Sequence, residues 1–223
     1  MRGPISPPLT QAHPWHGVSP AGPAAGIFNV FVEIVPTDTV KYELDKVSGH
    51  LRLDRPQLLS SLCPTLYGFL PRTYCGRRVA DRCAERTGVE SIEGDGDPMD
   101  VCVLTERPVA QGNLFVHARP IGGLRMIDGN RADDKIVAIL EADAAYGSWR
   151  ELEDVPGGLI ERVRHYFLSY KQRPDARSRG VSIAEMYDRE EALEVIARSM
   201  EDYRERFVSP AALEVLEPTQ EHR

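Results

Sequence analysis

Three aspartates fall close together in residues 94–100, which read Gly-Asp-Gly-Asp-Pro-Met-Asp. The two glycines and the proline predict a turn, and the apolar run at residues 101–104 predicts a strand that follows it. Crowding carboxylates on one turn is unfavourable unless a positive charge lies among their oxygens. Such oxygens suit Mg²⁺, which also retains several waters. The segment therefore predicts a divalent metal site, and a solvated hairpin tip is the plain structural alternative.

The composition describes an ordinary globular chain with an acidic balance. Its 223 residues, 42% of them hydrophobic, suffice for one sizeable domain or two small ones. The net charge of -7 argues against a general nucleic-acid surface. No apolar run approaches the ~20 residues of a membrane span, and the N-terminus lacks a secretory pattern, so we expect a cytoplasmic protein without a membrane partner. The four cysteines show no CxxC spacing and are expected to be reduced thiols.

Short segments with alternating or continuous apolar residues predict strands at 28–34, 40–44, 51–55, 101–104, 113–118, 121–127 and 136–140. Residues 45–50 read as a hairpin connection between two of them. Several short strands without alternating helices predict a small closed or nearly closed barrel. Helical spacing appears at residues 79–86, before Gly88, and twice in the final third of the chain, around Val163 and Ile196. The fold class is therefore mainly β (α+β).

The chain divides by composition into an arm, a domain and a tail. Residues 1–25 are rich in Pro, Gly and Ala and predict a flexible N-terminal arm, in which Trp15 could anchor the segment on a neighbouring surface. Residues 26–208 form the predicted domain, with an insertion at about 76–93. Residues 209–223 form a polar tail.

A second acidic turn, at residues 128–135, leads into the strand at 136–140 in the same way as the first. Together the two turns supply five carboxylates for metal ions, namely Asp95, Asp97, Asp100, Asp128 and Asp133. Four cations could grip a multiply charged anion, namely Lys41, Arg55, Lys135 and Lys171. Tyr67 and Tyr170 offer hydroxyl donors. Metals and cationic clamps around an anion favour phosphoryl transfer, and the absence of a Walker loop or kinase motif argues against a nucleotide-driven reaction.

The same blocks, in the same order, resemble the soluble inorganic pyrophosphatases of family I. The resemblance runs from about Glu33 to Lys171 and is most specific in Asp-Gly-Asp-Pro-Met-Asp-Val at residues 95–101. It implies an OB-like five-stranded β-barrel with flanking α-helices. The implied reaction is hydrolysis of inorganic diphosphate to two orthophosphates with several Mg²⁺ ions, for which other divalent cations can substitute.

The resemblance also implies a role for each residue. The metal ligands would be Asp95, Asp100, Asp133, Asp128 and Glu33, with Asp100 bridging two ions. Asp97 would act as the general base on the water that attacks phosphorus. Phosphoryl oxygens would be held by Lys41, Arg55, Tyr67, Lys135, Tyr170 and Lys171, of which the first three would also be catalytic. Glu43 would tie basic side chains in place.

Three residues depart from the family pattern. Cys63 stands where many bacterial members have a tyrosine, Gly129 where a glutamate is common, and Asp134 where smaller or aromatic residues are usual. Compact bacterial members are hexamers and longer eukaryotic ones are dimers, so we expect a homo-oligomer of either kind. Two other functions stay open at this point. They are an OB-like module that binds nucleic acid and an inactive pyrophosphatase-like scaffold.

Overall fold

A closed ring of five strands forms the centre of the protein. The computed structural model describes residues 11–58, 60–171 and 180–208. In chain order the strands are β1 (Phe28–Ile34), β2 (Val40–Leu44), β3 (Leu51–Pro56), β4 (Leu66–Phe69), β5 (Glu93–Gly94), β6 (Asp100–Leu104), β7 (Leu114–Asp128), β8 (Arg131–Ala132), β9 (Lys135–Leu140) and β10 (Val181–Tyr187). The helices are α1 (Arg77–Thr87), α2 (Gly157–Ser169) and α3 (Arg189–Phe207).

The ring runs β1-β4-β6-β9-β7 and closes where β7 pairs with β1. All of its neighbouring strands are antiparallel except β6 and β9, which are parallel. Strands β8 and β10 pair with β7 outside the ring, and β2 and β3 form a separate hairpin. Closure removes the exposed edges that an open sheet would leave. The predicted OB-like barrel with flanking helices is confirmed.

Both faces of the ring strands β6 and β9 are buried, because other parts of the chain cover the barrel there. Val101 packs in one apolar cluster with Val195 of α3. The next residue, Cys102, packs in a second cluster with Val163 of α2. Since successive side chains of a strand point to opposite faces, two covered faces explain why the strand at 101–104 reads as a continuous apolar run.

The strands predicted at 113–118 and 121–127 are one strand, β7. The pairing with β9 shifts its register between Pro120 and Gly122, which marks a bulge. Proline lacks the N–H that a regular ladder needs, so it is tolerated at such a position. A Cβ on Gly122 would lie 2.4 Å from Leu152 Cγ, so glycine permits the close approach there. Strand β10 is absent from the sequence prediction, and it lengthens the sheet along the second half of β7.

Helix α1 belongs to the predicted insertion and is tied to α3 at its start. The Asp202 carboxylate of α3 accepts hydrogen bonds from the backbone N–H groups of Gly76, Arg78 and Val79 at 3.1, 3.0 and 3.2 Å. These donors have no partner within their own helix, so the carboxylate serves as a cap from another element. The helix ends at Gly88, which adopts a left-handed conformation (φ 70°) as the sequence predicts.

The predicted N-terminal arm is packed on the domain in the part that the structure describes. Trp15 is 3% exposed, and its indole N–H donates a hydrogen bond to Thr73 O at 2.8 Å. Residues 1–10 of the arm and the tail at 209–223 lie outside the described residues. Among the described helices, none has the length and apolarity needed to cross a membrane.

Adding a methyl group at Gly68 is expected to destabilise the barrel. A Cβ there would lie 1.8 Å from Phe31 O on the adjacent strand β1, and backbone cannot move aside as a flexible side chain can. Gly68→Ala should therefore lower the free energy of unfolding by about 3 kcal/mol or more, at the upper end of overpacking effects. Urea unfolding followed by circular dichroism measures this change.

Gly158→Ala is the matched control, because a Cβ at Gly158 meets open space at the start of α2. Alanine favours helix over glycine, so this variant should be neutral or slightly more stable. Equal stability of the two variants would contradict the prediction.

Candidate active site

The first acidic turn lies between β5 and β6, and hydrogen bonds hold its backbone in place. The Asp97 N–H donates to Asp95 Oδ1 at 2.9 Å, and the Cys75 N–H donates to Asp97 O at 2.8 Å. A Cβ on Gly94 would lie 2.1 Å from Cys75 O, so no larger residue fits at that position. Gly96 adopts φ 78°, a conformation that favours glycine. The glycines therefore let the turn approach residue 75 and converge its carboxylates.

The second acidic turn meets the first because β6 and β9 are parallel neighbours. Their register sets Asp100 opposite Lys135, at the same end of both strands. The Lys135 Nζ contacts the carboxylates of both Asp100 and Asp133, and Lys135 is 2% exposed. A buried ammonium group thus links the two turns.

Asp134 points away from this contact because it alternates with its neighbours along the chain. Its Oδ2 accepts hydrogen bonds from Arg125 Nη1 at 3.4 Å and from Tyr187 Oη at 3.2 Å. Arg125 is fully buried and also contacts Glu185, at 2.8 Å, and Glu191. Burial raises the pKa of Asp134 to about 7, although Arg125 opposes the shift. The Asp134 carboxylate therefore belongs to a buried cluster of charged residues around Arg125, which lies away from the pocket.

The hairpin of β2 and β3 brings two cations to the site. Lys41 and Arg55 are register partners on the two strands. The Asp54 carboxylate holds both of them, with Oδ2 at 3.3 Å from Lys41 Nζ and 2.6 Å from Arg55 Nη1. Glu43 Oε1 lies 3.6 Å from Lys41 Nζ, and its other oxygen lies 3.5 Å from Arg52 Nη2. These ion pairs orient the cations while leaving them partly exposed.

Strand β4 and the end of α2 supply the remaining predicted groups. The Tyr67 hydroxyl donates a hydrogen bond to Asp100 Oδ2 at 2.6 Å. Burial and the Asp100 charge raise the pKa of Tyr67 well above its ordinary value, so its hydroxyl stays protonated. Tyr170 follows the last residue of α2, and the Lys171 Nζ lies 2.6 Å from Asp128 Oδ2.

Ten of the thirteen predicted site residues line one pocket of about 230 Å³. They are Lys41, Arg55, Tyr67, Asp95, Asp97, Asp100, Asp133, Lys135, Tyr170 and Lys171. Glu33 and Glu43 line a smaller adjoining cavity of about 70 Å³ together with Asp97 and Asp100. Asp128 is placed at the pocket through its ion pair with Lys171. The structure therefore brings the predicted set together.

Three residues near the pocket were missed by the sequence analysis. The Lys46 Nζ contacts the Asp97 carboxylate from the turn between β2 and β3. Asp54 holds two of the cations, and Tyr166 lines the pocket beside Tyr170. Tyr166 packs with the apolar residues of α2, and lysine and aspartate are common in turns and on strand surfaces. No sequence signal separates these three from their many equivalents.

Burial raises the pKa of three carboxylates of the site. Burial and the charge of Asp133 raise the pKa of Asp95 to about 8, and burial raises that of Asp100 above its usual range. Burial also raises the pKa of Glu33 to about 8, although its Oε1 accepts a 2.7 Å hydrogen bond from the backbone N–H of residue 44. Burial alone would lower the pKa of Lys135, but Asp100 and Asp133 raise it well above its ordinary value. The pocket thus favours additional positive charge.

The donor set fits a hard divalent cation. Within residues 11–58, 60–171 and 180–208, no three His, Cys, Asp or Glu side chains surround a common metal position. The Lys135 ammonium group lies between two of the carboxylates. Asp95, Asp100 and Asp133 nevertheless line one pocket and supply the oxygen atoms that Mg²⁺ prefers. The raised pKa values of Asp95 and Asp100 show that cationic partners would stabilise their ionised forms.

A closed barrel gathers carboxylates, ammonium groups and tyrosine hydroxyls in one small pocket, and such a lining suits a compact anion that binds together with cations. A sequence model described as inorganic pyrophosphatase matches residues 30–204. The inorganic pyrophosphatase of Chlamydia muridarum is 44% identical over 200 residues, covering 88% of this chain and 96% of that protein. The soluble inorganic pyrophosphatase of Oryza sativa subsp. indica is 36% identical over 192 residues, covering 86% and 79%.

Solved structures agree with the sequence comparisons. The inorganic pyrophosphatase of Thermus thermophilus superposes with a TM-score of 0.72 at 25% identity, covering 86% of this chain and 99% of that chain. The inorganic pyrophosphatase of Neisseria gonorrhoeae gives 0.68 at 31% identity, covering 84% and 96%. The chain belongs to the inorganic pyrophosphatase family, and it is an enzyme of the hydrolase class.

Binding of Mg²⁺ near neutral pH is expected to release protons. With pKa values near 8, Asp95 and Glu33 are largely protonated at pH 7 in the metal-free protein. A bound cation requires the ionised carboxylates, so their protons leave, and metal affinity rises with pH until about pH 8 is passed. Calorimetric titration with Mg²⁺ in buffers of different ionisation enthalpy counts the protons released at pH 7 and pH 9.

Release should be larger at pH 7 than at pH 9. Asp95→Asn removes one of the two groups and should reduce the release at pH 7. Binding heats that are independent of the buffer at pH 7 would contradict the prediction.

Proposed function

We propose that this chain hydrolyses inorganic diphosphate to two orthophosphates with several Mg²⁺ ions. The observation that carries the proposal is the pocket of about 230 Å³, which is lined by four carboxylates, four cations and three tyrosines. Diphosphate is small, carries several negative charges and binds Mg²⁺, so it is the kind of ligand that such a mixed wall can hold. Membership of the family supports the same substrate.

Two groups of carboxylates would hold the metal ions. Asp95, Asp100 and Asp133 share the pocket and would bind the first ions, while Asp128 and Glu33 at its margins would contribute to further ones. When bound, Mg²⁺ makes a water more acidic and neutralises charge on phosphoryl oxygens. Manganese or other divalent cations that accept oxygen ligands would substitute.

Asp97 would accept the proton of the attacking water. Its carboxylate lines the pocket, is partly exposed and belongs to a turn whose backbone is fixed by hydrogen bonds. A general base must be held within reach of the proton that it accepts, and this turn is rigid enough to hold it there. Glu43 would keep Lys41 oriented through their ion pair.

The cations would bind and stabilise the phosphoryl groups. Lys41 and Arg55 come from the β2–β3 hairpin, whereas Lys135 comes from the start of β9 and Lys171 from the residues that follow α2. A diphosphate between them would have each phosphoryl group close to a pair of positive charges. These charges would stabilise the negative charge that develops on the leaving phosphate, and the Tyr67 and Tyr170 hydroxyls would add hydrogen bonds.

Asp97→Asn should lower kcat for diphosphate hydrolysis by more than ~100-fold, because the amide cannot accept the proton while the side chain keeps its shape. A phosphate-release assay with diphosphate and Mg²⁺ measures the rate, and thermal unfolding confirms that the variant is folded. Asp81→Asn is the matched control, since Asp81 is an exposed residue of α1 that pairs with Arg77 at 3.5 Å.

Asp81→Asn should leave kcat within about twofold of the starting protein, as expected for an exposed ion pair. Absence of turnover in the folded starting protein would contradict the proposed function. Equal rates for Asp97→Asn and Asp81→Asn would contradict the role of Asp97.

Oligonucleotide binding and Mg²⁺ binding, measured beside phosphate release, separate the two other functions that the sequence left open. A nucleic-acid module would bind an oligonucleotide without metal in a salt-dependent manner. The carboxylates that line the pocket would repel the oligonucleotide's phosphate groups. An inactive scaffold would bind Mg²⁺ without hydrolysing diphosphate. The homo-oligomer and the cytoplasmic location stay predictions from the sequence.

A further inference from the structure

The segment at residues 13–17 forms a compact turn beneath the active pocket. The Gly17 N–H donates to His13 O at 2.7 Å, and the Trp15 N–H donates to His13 Nδ1 at 3.2 Å. Trp15 is almost fully buried, and it lines the smaller cavity together with Lys46 and Asp97. The sequence analysis assigns no catalytic role to residues 13–17.

The segment is connected to the acidic turn by hydrogen bonds through residue 73. The Trp15 indole N–H donates to Thr73 O at 2.8 Å. The Thr73 hydroxyl in turn accepts a hydrogen bond from the Met99 N–H at 2.9 Å and donates to Leu70 O at 2.6 Å. Met99 lies two residues after Asp97. Two hydrogen bonds therefore connect the Trp15 ring to the backbone of the acidic turn.

The backbone that precedes Thr73 is strained, and the same segment holds it. Arg72 adopts φ 50°, which is uncommon for a residue with a side chain. Its N–H donates to Trp15 O at 2.8 Å and its Nε donates to His16 O at 3.1 Å. A strained conformation persists where surrounding contacts determine it, and these two bonds provide such contacts.

On its other side the segment touches the turn between β2 and β3. A Cβ on Gly49 would lie 2.8 Å from His13 Cδ2 and 3.2 Å from Pro14 Cδ, so the two rings pack directly against that glycine. The same turn carries Lys46, whose Nζ contacts the Asp97 carboxylate. The segment thus adjoins both partners of the Lys46–Asp97 pair.

Helix α3 anchors the segment. His16 Nδ1 lies 2.7 Å from the Tyr203 hydroxyl oxygen, and the Trp15 ring packs edge-on against Phe207 with centroids 5.3 Å apart. Helix α3 is itself held against the start of α1 by the Asp202 carboxylate. The segment therefore connects α3 to the acidic turn of the site.

We propose that residues 13–17 are a positioning element of the active site, which fixes the acidic turn relative to the β2–β3 turn and so sets where Lys46 meets Asp97. Trp15 and His13 are its positioning residues, one for each turn. Neither touches the substrate. The inference rests on the proposed diphosphatase function for its kinetic readout, and Mg²⁺ binding provides a second readout that needs no turnover.

Trp15→Phe tests the contact with the acidic turn, because phenylalanine keeps a ring in the cavity and loses the N–H that binds Thr73 O. We expect kcat to fall about tenfold while KM for diphosphate changes less than about twofold, since small displacements of catalytic groups lower rates strongly. Calorimetry with Mg²⁺ alone should show an affinity at least about threefold weaker, because the carboxylates of the turn are displaced.

Trp149→Phe is the matched control. Trp149 is the second of the two tryptophans, it stacks on Tyr146 at 4.2 Å, and it does not line either cavity of the site. This variant should retain the kcat and the Mg²⁺ affinity of the starting protein even if its melting temperature falls. Unchanged kcat and Mg²⁺ affinity in folded Trp15→Phe would overturn the proposal.

Gly49→Ala tests the contact with the β2–β3 turn and serves where Trp15→Phe fails to fold. Gly88→Ala controls for backbone strain, because Gly88 has nearly the same φ, 70° against 72°, and its Cβ would meet open space. We expect Gly49→Ala to lower kcat at least about fivefold more than Gly88→Ala, and His13→Ala in the Gly49→Ala background to restore part of the loss. Equal kcat values for the two glycine variants would overturn the proposal.

The two readouts distinguish the inference from the function on which it rests. If the folded starting protein shows no turnover with diphosphate, the proposed function fails. The Mg²⁺ affinities of Trp15→Phe and Trp149→Phe then still decide whether the segment positions the carboxylates. Equal affinities overturn the positioning role, and weaker binding by Trp15→Phe alone supports it.

Discussion

The site depends on one electrostatic constraint, which is that several carboxylates share a small buried space. Asp95, Asp100 and Asp133 line the same pocket, and burial together with mutual repulsion raises the pKa of Asp95 to about 8. The Lys135 ammonium group offsets part of this repulsion by contacting two of them. Such a group of charges is favourable only when positive charge is present. The repulsion that destabilises the metal-free pocket would be relieved by bound cations and by anions that carry cations.

The barrel meets this constraint through its one parallel pair of ring strands. Parallel strands begin at the same end of a sheet, so β6 and β9 both start at the pocket and set Asp100 opposite Lys135. The alternation of side chains then separates the charges of the second turn. Asp133 and Lys135 face the pocket, while Asp134 faces Arg125 in the core. Charged residues on both sides of one short segment fix its register, because a slip by one residue would exchange the two sets.

Much of this arrangement could be predicted from the sequence, because the chemistry is concentrated in local blocks. The acidic turns, the strands that follow them and the helix around Val163 are each specified by residues within a few positions of one another. The order of the blocks then identified the family. What the sequence could not give is contact between distant segments. The merging of two predicted strands into β7, the strand β10 and the burial of Trp15 all depend on partners far along the chain.

The structure also accounts for the three residues that depart from the family pattern. Asp134 is explained by Arg125 and Tyr187, which no local pattern connects to it. Cys63 is buried, and its Sγ lies 3.8 Å from the Thr65 hydroxyl outside the lining of the pocket. Gly129 adopts φ 67° with open space around its Cβ position, which suits a turn residue. Each position has a structural role that its residue type satisfies without a direct role in the pocket.

The size and the charge of the pocket together limit what it can bind. A volume of about 230 Å³ is below the ~300–1,000 Å³ of most sites for drug-sized ligands, so a nucleotide or a strand of nucleic acid would not be enclosed. Its aromatic residues, Tyr67, Tyr166, Phe167 and Tyr170, are largely buried and offer no open stacking platform. OB-like barrels that bind single strands need such platforms and a basic groove. A compact, highly charged anion that arrives with metal ions would satisfy the carboxylates and the ammonium groups at once.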